Sequence, residues 1–210
     1  MTEGAPLVVV VDDDTGMSEA ITDLIASLGM RVRSHSGVDE LFLAGLEGVN
    51  CLILDVRLPG QSGLELQQRL RRTGSRVPIV FITGFGDVPM SVRAMKGGAV
   101  DFLTKPFPDQ DLIDAINEAL RKDAQLRRAT GALDEVTRLA AALTPREREV
   151  MEHVWKGLMN KQIAYELGIA EITVKIHRRN VMQKMEAATA AELVRKVELL
   201  KTMAQPESER

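Results

Sequence analysis

Three consecutive aspartates, Asp12, Asp13 and Asp14, follow the apolar run Leu7–Val11, and a fourth, Asp55, follows the run Cys51–Leu54. Thr83 closes the run Ile79–Ile82, and Lys105 stands just beyond Val100–Leu103. Carboxylates this close repel one another, so a cation must sit among them or the site loses stability. One acid as nucleophile, neighbouring acids around a hard cation, a hydroxyl and an amine together suit phosphoryl transfer. That chemistry asks mainly for positioning and for neutralised oxygens. Asp55 would attack phosphorus, while Thr83 and Lys105 would bind the phosphoryl oxygens. Mg2+ is the expected ion, because it accepts few carboxylates, keeps several waters and shares phosphate oxygens with its substrate.

These side chains meet only if the apolar runs are parallel strands, because ligands gather at the carboxyl ends of such a sheet. Leu7–Val11, Cys51–Leu54, Ile79–Ile82 and Val100–Leu103 read as buried strands, and Met30–His35 as a weaker one. Between them Met17–Leu28, Val38–Leu46, Gly63–Arg71, Val88–Lys96 and Asp109–Leu126 carry helical spacing. This alternation predicts an α/β doubly wound, five-stranded parallel sheet of the flavodoxin-like kind, with helices on both faces.

The segments Val11-Asp12-Asp13-Asp14, Leu54-Asp55-Val-Arg-Leu-Pro-Gly60, Phe81-Ile-Thr83-Gly84 and Lys105-Pro106-Phe107 follow one another in order. Together they make residues 7–125 resemble the receiver domain of bacterial two-component response regulators. The resemblance implies that Asp55 accepts phosphate from a sensor histidine kinase. It implies that Asp12 and Asp13 hold Mg2+, Asp13 directly, joined by Asp55 and the Arg57 backbone carbonyl. Thr83 and Phe102 match the switch hydroxyl and switch aromatic, and Lys105–Pro106 is expected to be cis. Asp14 is placed at the pocket rim, meeting metal only through water. Phosphatases of the haloacid dehalogenase type also carry acids after a first strand, as D-x-D-x-T. Here, however, the last position is Gly16.

The second half is helical by its punctuation. Thr144-Pro145-Arg146-Glu147 supplies an N-cap, a first-turn proline and a capping-box glutamate, and Thr189-Ala-Ala-Glu192 a second box. Asn160 is placed as the cap of Lys161–Leu167, which Gly168 ends, and a further helix spans Ile172–Met185. On it Val174, His177, Val181 and Met185 form an inward face; Lys175, Ile176, Arg179, Asn180 and Gln183 form the opposite one. A basic face with an apolar member suits the DNA major groove, where lysine or arginine reads guanine and an aliphatic group meets a thymine methyl. The stretches Leu143–Glu149, Gly157–Ala164, Leu167–Ile169 and Thr173–Arg179 make residues 144–203 resemble the LuxR-type helix-turn-helix, a four-helix bundle. With the receiver, this points to FixJ/NarL-type regulators. It implies base contacts from Lys175, Ile176 and Arg179, and phosphate contacts from Asn160, Lys161, Thr173 and Arg178.

Composition fits two domains with different partners. Residues 1–120 carry 17 Asp/Glu against 10 Lys/Arg, whereas residues 144–210 carry 12 Lys/Arg against 10 Asp/Glu. The 210-residue chain has one cysteine, so no internal disulfide, and no run that suits a signal peptide or membrane span. Cys51 reads as a buried inert thiol, His177 as a packing histidine and Trp155 as bundle core. The expected division is a receiver at 1–125, a partly helical linker at 126–142 interrupted at Thr130-Gly131, a DNA-binding domain at 143–204 and a frayed tail at 205–210. The whole reads as a cytoplasmic, phosphorylation-switched transcription factor. Its expected partners are a histidine kinase, promoter double-stranded DNA, a second copy of itself when phosphorylated and RNA polymerase, with no membrane. An alternative of another class is a DNA-binding protein whose receiver is a structural or partner-binding module. The full set of acid, hydroxyl and lysine positions argues against it.

Overall fold

The computed structural model describes residues 4–84 and 86–204, so the tail at 205–210 lies outside the described residues. The chain divides after Arg127 into two compact units. The first contains β1 (Leu7–Val11), α1 (Thr15–Ser27), β2 (Arg31–His35), α2 (Val38–Ala44), β3 (Val49–Asp55), α3 (Gly63–Arg72), β4 (Ile79–Thr83), α4 (Val88–Lys96) and β5 (Asp101–Thr104). A long helix, α5 (Asp109–Ala141), follows. The strands are all parallel, in the order β2-β1-β3-β4-β5.

Alternate residues of the central strands feed two separate cores. Val9, Val11, Leu52, Leu54 and Phe81 pack on one face of the sheet; Val8, Val10, Cys51, Ile53, Val80 and Ile82 pack on the other. A sheet covered on both faces therefore reads as continuous apolar runs rather than alternation. Cys51 is fully buried, and desolvation pushes its thiol up to about 12, which leaves it inert.

Two boundaries depart from the sequence expectation for identifiable reasons. β3 begins at Val49, not Cys51, because polar Asn50 has partners: it accepts from Leu7 N at 2.9 Å and donates to Asp123 Oδ2 at 2.6 Å. α5 does not break at Thr130-Gly131 but runs on to Ala141. A single interior glycine disfavours helix by only about 1 kcal/mol, which the surrounding Ala, Leu, Gln and Arg residues offset.

The second unit contains α6 (Pro145–Trp155), α7 (Asn160–Leu167), α8 (Glu171–Lys184) and α9 (Ala190–Ala204). Val150, Ile163, Val174, Val181, Met185 and Leu193 centre its core, and Val136, Leu139 and Leu143 join it. Part of the expected linker is thus core of this unit. Trp155 packs against that core, with Lys201 Nζ 3.6 Å from the centre of its ring. His153, for which the sequence suggests no partner, has Nδ1 3.2 Å from Glu166 Oε2. No helix among the described residues is long and apolar enough to cross a membrane.

Thr144 caps α6 in the expected box: Glu147 N donates to Thr144 Oγ1, and Glu147 Oε2 accepts from Thr144 N at 2.8 Å. The same oxygen accepts from Lys184 Nζ at 2.7 Å, tying α6 to α8. That lysine bond, helped by the cap, holds the buried Glu147 carboxyl at about 2, well below its usual 4.5. A carboxyl depressed in the folded state stabilises above its unfolded pKa and loses that contribution as it becomes protonated. The second unit is therefore expected to lose stability as pH falls from about 4.5 toward about 2. Thermal unfolding followed by Trp155 fluorescence checks this. Glu147→Gln should flatten the pH dependence in that window and lower stability at neutral pH by about 1–3 kcal/mol.

Candidate functional site

The carboxyl ends of β1, β3 and β4 bring Asp12, Asp13, Asp55 and Thr83 together, and Lys105 arrives just after β5. The Lys105 N–H donates to Thr83 O at 2.8 Å, and the Lys105–Pro106 bond is cis. Lys105 Nζ donates to Asp12 Oδ2 at 2.6 Å and to Asp55 Oδ2 at 2.8 Å. The other oxygens of the two acids are also engaged. Asp12 Oδ1 accepts from Asp14 N at 3.0 Å, and Asp55 Oδ1 accepts from Arg57 N at 2.9 Å. Asp12, Asp55 and Thr83 are buried, while Asp13 is exposed.

Burial is the largest influence on Asp12 and raises its carboxyl, although hydrogen bonds from Lys105 and Asp14 pull the other way. Burial would lower the Lys105 ammonium, but its bonds to Asp12 and Asp55 outweigh that and leave it raised. Lys105 thus neutralises only part of an acid cluster. Asp12, Asp13 and Asp55 each offer an oxygen within 4.8 Å of the others, an all-carboxylate donor set that fits a hard divalent cation such as Mg2+.

Asp14 does something the sequence reading did not assign. Its Oδ1 accepts from Met17 N at 3.1 Å, so it is the N-cap of α1. Two glycines at the site were also missed. A Cβ on Gly63 would lie 2.3 Å from Asp55 O, so α3 approaches the strand end only with glycine there. A Cβ on Gly86 would lie 2.9 Å from Phe102 Cε1 and 3.3 Å from Thr83 Cγ2. Phe102 is half-buried, its ring centre 6.3 Å from that of Phe81. The signal at Gly63 was present: it stands inside the capping box Ser62-Gly-Leu-Glu65, where nothing in the helix asks for glycine. Gly63→Ala should destabilise the first unit by about 1–3 kcal/mol through forced backbone movement. Chemical denaturation would measure the loss.

On α8, Val174 and Val181 are buried, whereas Lys175, Ile176, Arg179 and Gln183 are exposed as the spacing requires. Ile172 is exposed beside them, an apolar residue the outward face was not expected to include. Lys175 Nζ lies 3.3 Å from Glu171 Oε1, an exposed pair that leaves the amine available. Lys161 is exposed and Thr173 half-buried. Asn160 is the first residue of α7, not its cap. Met159 takes that position, and Gln162 Oε1 accepts from Met159 N at 2.8 Å. Asn160 Oδ1 instead accepts from Arg178 Nη1 at 3.0 Å, fixing Arg178 against α7. His177 is half-buried, as a packing histidine should be.

Comparison with known proteins agrees with both halves. Residues 8–117 match the family described as response regulator receiver domain, and residues 141–197 match bacterial regulatory proteins, luxR family. Nodulation protein W of Bradyrhizobium diazoefficiens is 50% identical over 195 residues, 92% of this chain and 86% of that protein. Transcriptional regulatory protein FixJ of Azorhizobium caulinodans is 44% identical over 196 residues, covering 93% and 92%. Among solved structures, response regulator StyR superposes with a TM-score of 0.82 at 48% identity, over 93% of this chain and 99% of that one. Full-length FixJ from B. japonicum gives 0.56 at 39%, over 96% and 99%.

Proposed function

The chain belongs to the two-component response regulators that join a receiver domain to a luxR-family DNA-binding domain, and from that premise we propose that phosphorylation of Asp55 controls its binding to promoter DNA. The observation that carries this reading is the convergence of Asp12, Asp13, Asp55 and Lys105 on one pocket. A carboxylate oxygen of Asp55 attacks the phosphorus of a phosphohistidine on a sensor kinase. The P–N bond breaks as the P–O bond forms, giving an acyl phosphate. Lys105, now shared between two acids, turns to a phosphoryl oxygen, and the Thr83 hydroxyl donates to another. Asp12, Asp13, Asp55 and the Arg57 carbonyl would hold Mg2+, which when bound neutralises the phosphoryl oxygens.

Phe102 follows Thr83 inward and reshapes the surface made by α4, β5 and the start of α5, which then pairs with a second copy of the chain. Half-sites one helical turn apart call for such a symmetric dimer. Receiver function is assigned to residues 1–125 and DNA binding to 143–204; the segment 126–142 connects them and also lends Val136 and Leu139 to the core of the second unit. Lys175, Ile176 and Arg179 meet base edges, while Asn160, Lys161, Thr173 and Arg178 meet phosphate. RNA polymerase would be met at the promoter, and a protein that takes its signal from a kinase to promoter DNA would act in the cytoplasm.

The test is incubation with acetyl phosphate and Mg2+, followed by intact-mass measurement. A hydroxylamine-sensitive phosphoryl group at Asp55 supports the reading; an unmodified chain sinks it. Asp13→Asn should weaken Mg2+ binding, because it takes an anionic oxygen from the few carboxylates that would hold the ion, and slow phosphorylation with it. Asp14→Asn should change both far less, because asparagine also caps a helix. Equal Mg2+ affinity in wild type and Asp13→Asn would refute the ligand assignment.

A further inference from the structure

At the amino ends of β4 and β5, the end of the sheet remote from Asp55, α3, α4 and α5 border a groove of about 330 Å3. Arg71, Arg76, Lys96 and Lys122 line it, and among the described residues no carboxylate does. Its apolar lining comes from Leu70, Val77 and Ile79, with Leu126 at one side. This cation cluster belongs to a unit, residues 1–127, that is acidic as a whole, with 18 Asp/Glu against 13 Lys/Arg.

Helix ends account for only part of it. Arg71 and Lys96 lie in the last turns of α3 and α4, where a cation offsets the negative end of the helix dipole. Arg76, on the loop before β4, and Lys122, inside α5, have no such reason to be there. Arg71 Nη1 donates to Gly97 O at 2.9 Å, and Lys122 Nζ lies 3.4 Å from Gly98 O. Two cations are therefore drawn across the groove to the carbonyls where α4 ends. Arg76 and Lys96 have no hydrogen-bond or ion-pair partner among the described residues.

Four cations above an apolar floor fit a multiply charged phosphate with a flat apolar body. A single carboxylate would leave most of the charge uncompensated, whereas guanidinium groups present donors at the spacing of phosphate oxygens. The volume stands at the lower end of the roughly 300–1,000 Å3 of ligand pockets, which limits the body to one base and one sugar. We infer that this groove binds a nucleoside di- or triphosphate, with the phosphates between Arg71, Arg76, Lys96 and Lys122 and the base on Leu70, Val77 and Ile79. The site is separate from the acidic pocket, and its occupancy does not depend on phosphorylation of Asp55. Bound ligand would tie the loop before β4 to the end of α4. That helix has Ala94 as its one buried residue and Met90 packed partly against the core, and Gln67 Nε2 donates to Ala94 O at 3.1 Å.

Titration calorimetry of the full-length protein with ATP tests the site, in EDTA so that no metal–nucleotide complex meets the acidic pocket. Saturable binding at one site per chain is expected, tighter for ATP than for tripolyphosphate. The double variant Arg76→Ala, Lys122→Ala should weaken it about tenfold or more by removing two charged donors. Arg72→Ala, on α3 but outside the groove, should leave it unchanged, and circular dichroism would show both variants folded. Absence of saturable binding at millimolar ATP would overturn the site, as would an equal loss in Arg72→Ala. Tripolyphosphate binding as tightly as ATP would refute the nucleotide assignment.

Discussion

Asp55→Asn is expected to remove acyl-phosphate formation altogether, with the protein remaining mainly monomeric and weak on promoter DNA whatever phosphodonor is supplied. The amide keeps the size of the side chain and can still meet Lys105, which in the wild type donates to both Asp55 and Asp12. It has no anionic oxygen to attack phosphorus. The fold should survive, because one member of a repelling carboxylate cluster is neutralised. What is lost is the roughly −1.5 to −2 charge and the acceptor oxygens that a phosphoryl group adds. Moving an equilibrium from 1:99 to 99:1 takes about 5.5 kcal/mol of differential stabilisation, so a partial shift toward dimer is expected for the phosphorylated wild type. Sedimentation of both proteins with and without acetyl phosphate reads the difference. Dimerisation of Asp55→Asn on addition of the donor would contradict the assignment.

Lys175→Ala and Arg179→Ala are expected to change which DNA sequences are preferred as well as how tightly they are held. Both side chains are exposed on α8, whose opposite face is fixed in the core by Val174 and Val181. A good base contact carries about 1–3 kcal/mol of discrimination, so each variant should lose that much on a selected site and much less on random DNA. Lys161→Ala should weaken all sequences alike and lower the salt slope by about one. Competition binding over a salt series separates the two behaviours. Equal losses on specific and random DNA for Lys175→Ala and Arg179→Ala would make them phosphate contacts.

The parallel sheet was legible in the sequence because its central strands are buried on both faces and so appear as unbroken runs such as Leu7–Val11. The acids, hydroxyl and lysine were legible because topology sends strand ends to one edge. What local pattern could not give were features set by partners distant in sequence. Asn50 extends β3 through bonds to Leu7 and Asp123, and Asn160 leaves the capping role to meet Arg178. Lys105 sits between two acids from other strands, a state that depends on three segments at once. Gly63 and Gly86 are needed for what surrounds them, Asp55 O and the Phe102 ring, rather than for their own conformation. The continuity of α5 past Gly131 is a balance of small propensities that no single residue announces.

The most direct measurement is the affinity of the full-length protein for a selected promoter site with and without acetyl phosphate and Mg2+, with Asp55→Asn as the parallel sample. Tighter binding on phosphorylation in the wild type, accompanied by dimerisation and absent in Asp55→Asn, is the predicted result. The same affinity in both states of the wild type, or an equal gain in Asp55→Asn, would contradict phosphoryl control of DNA binding.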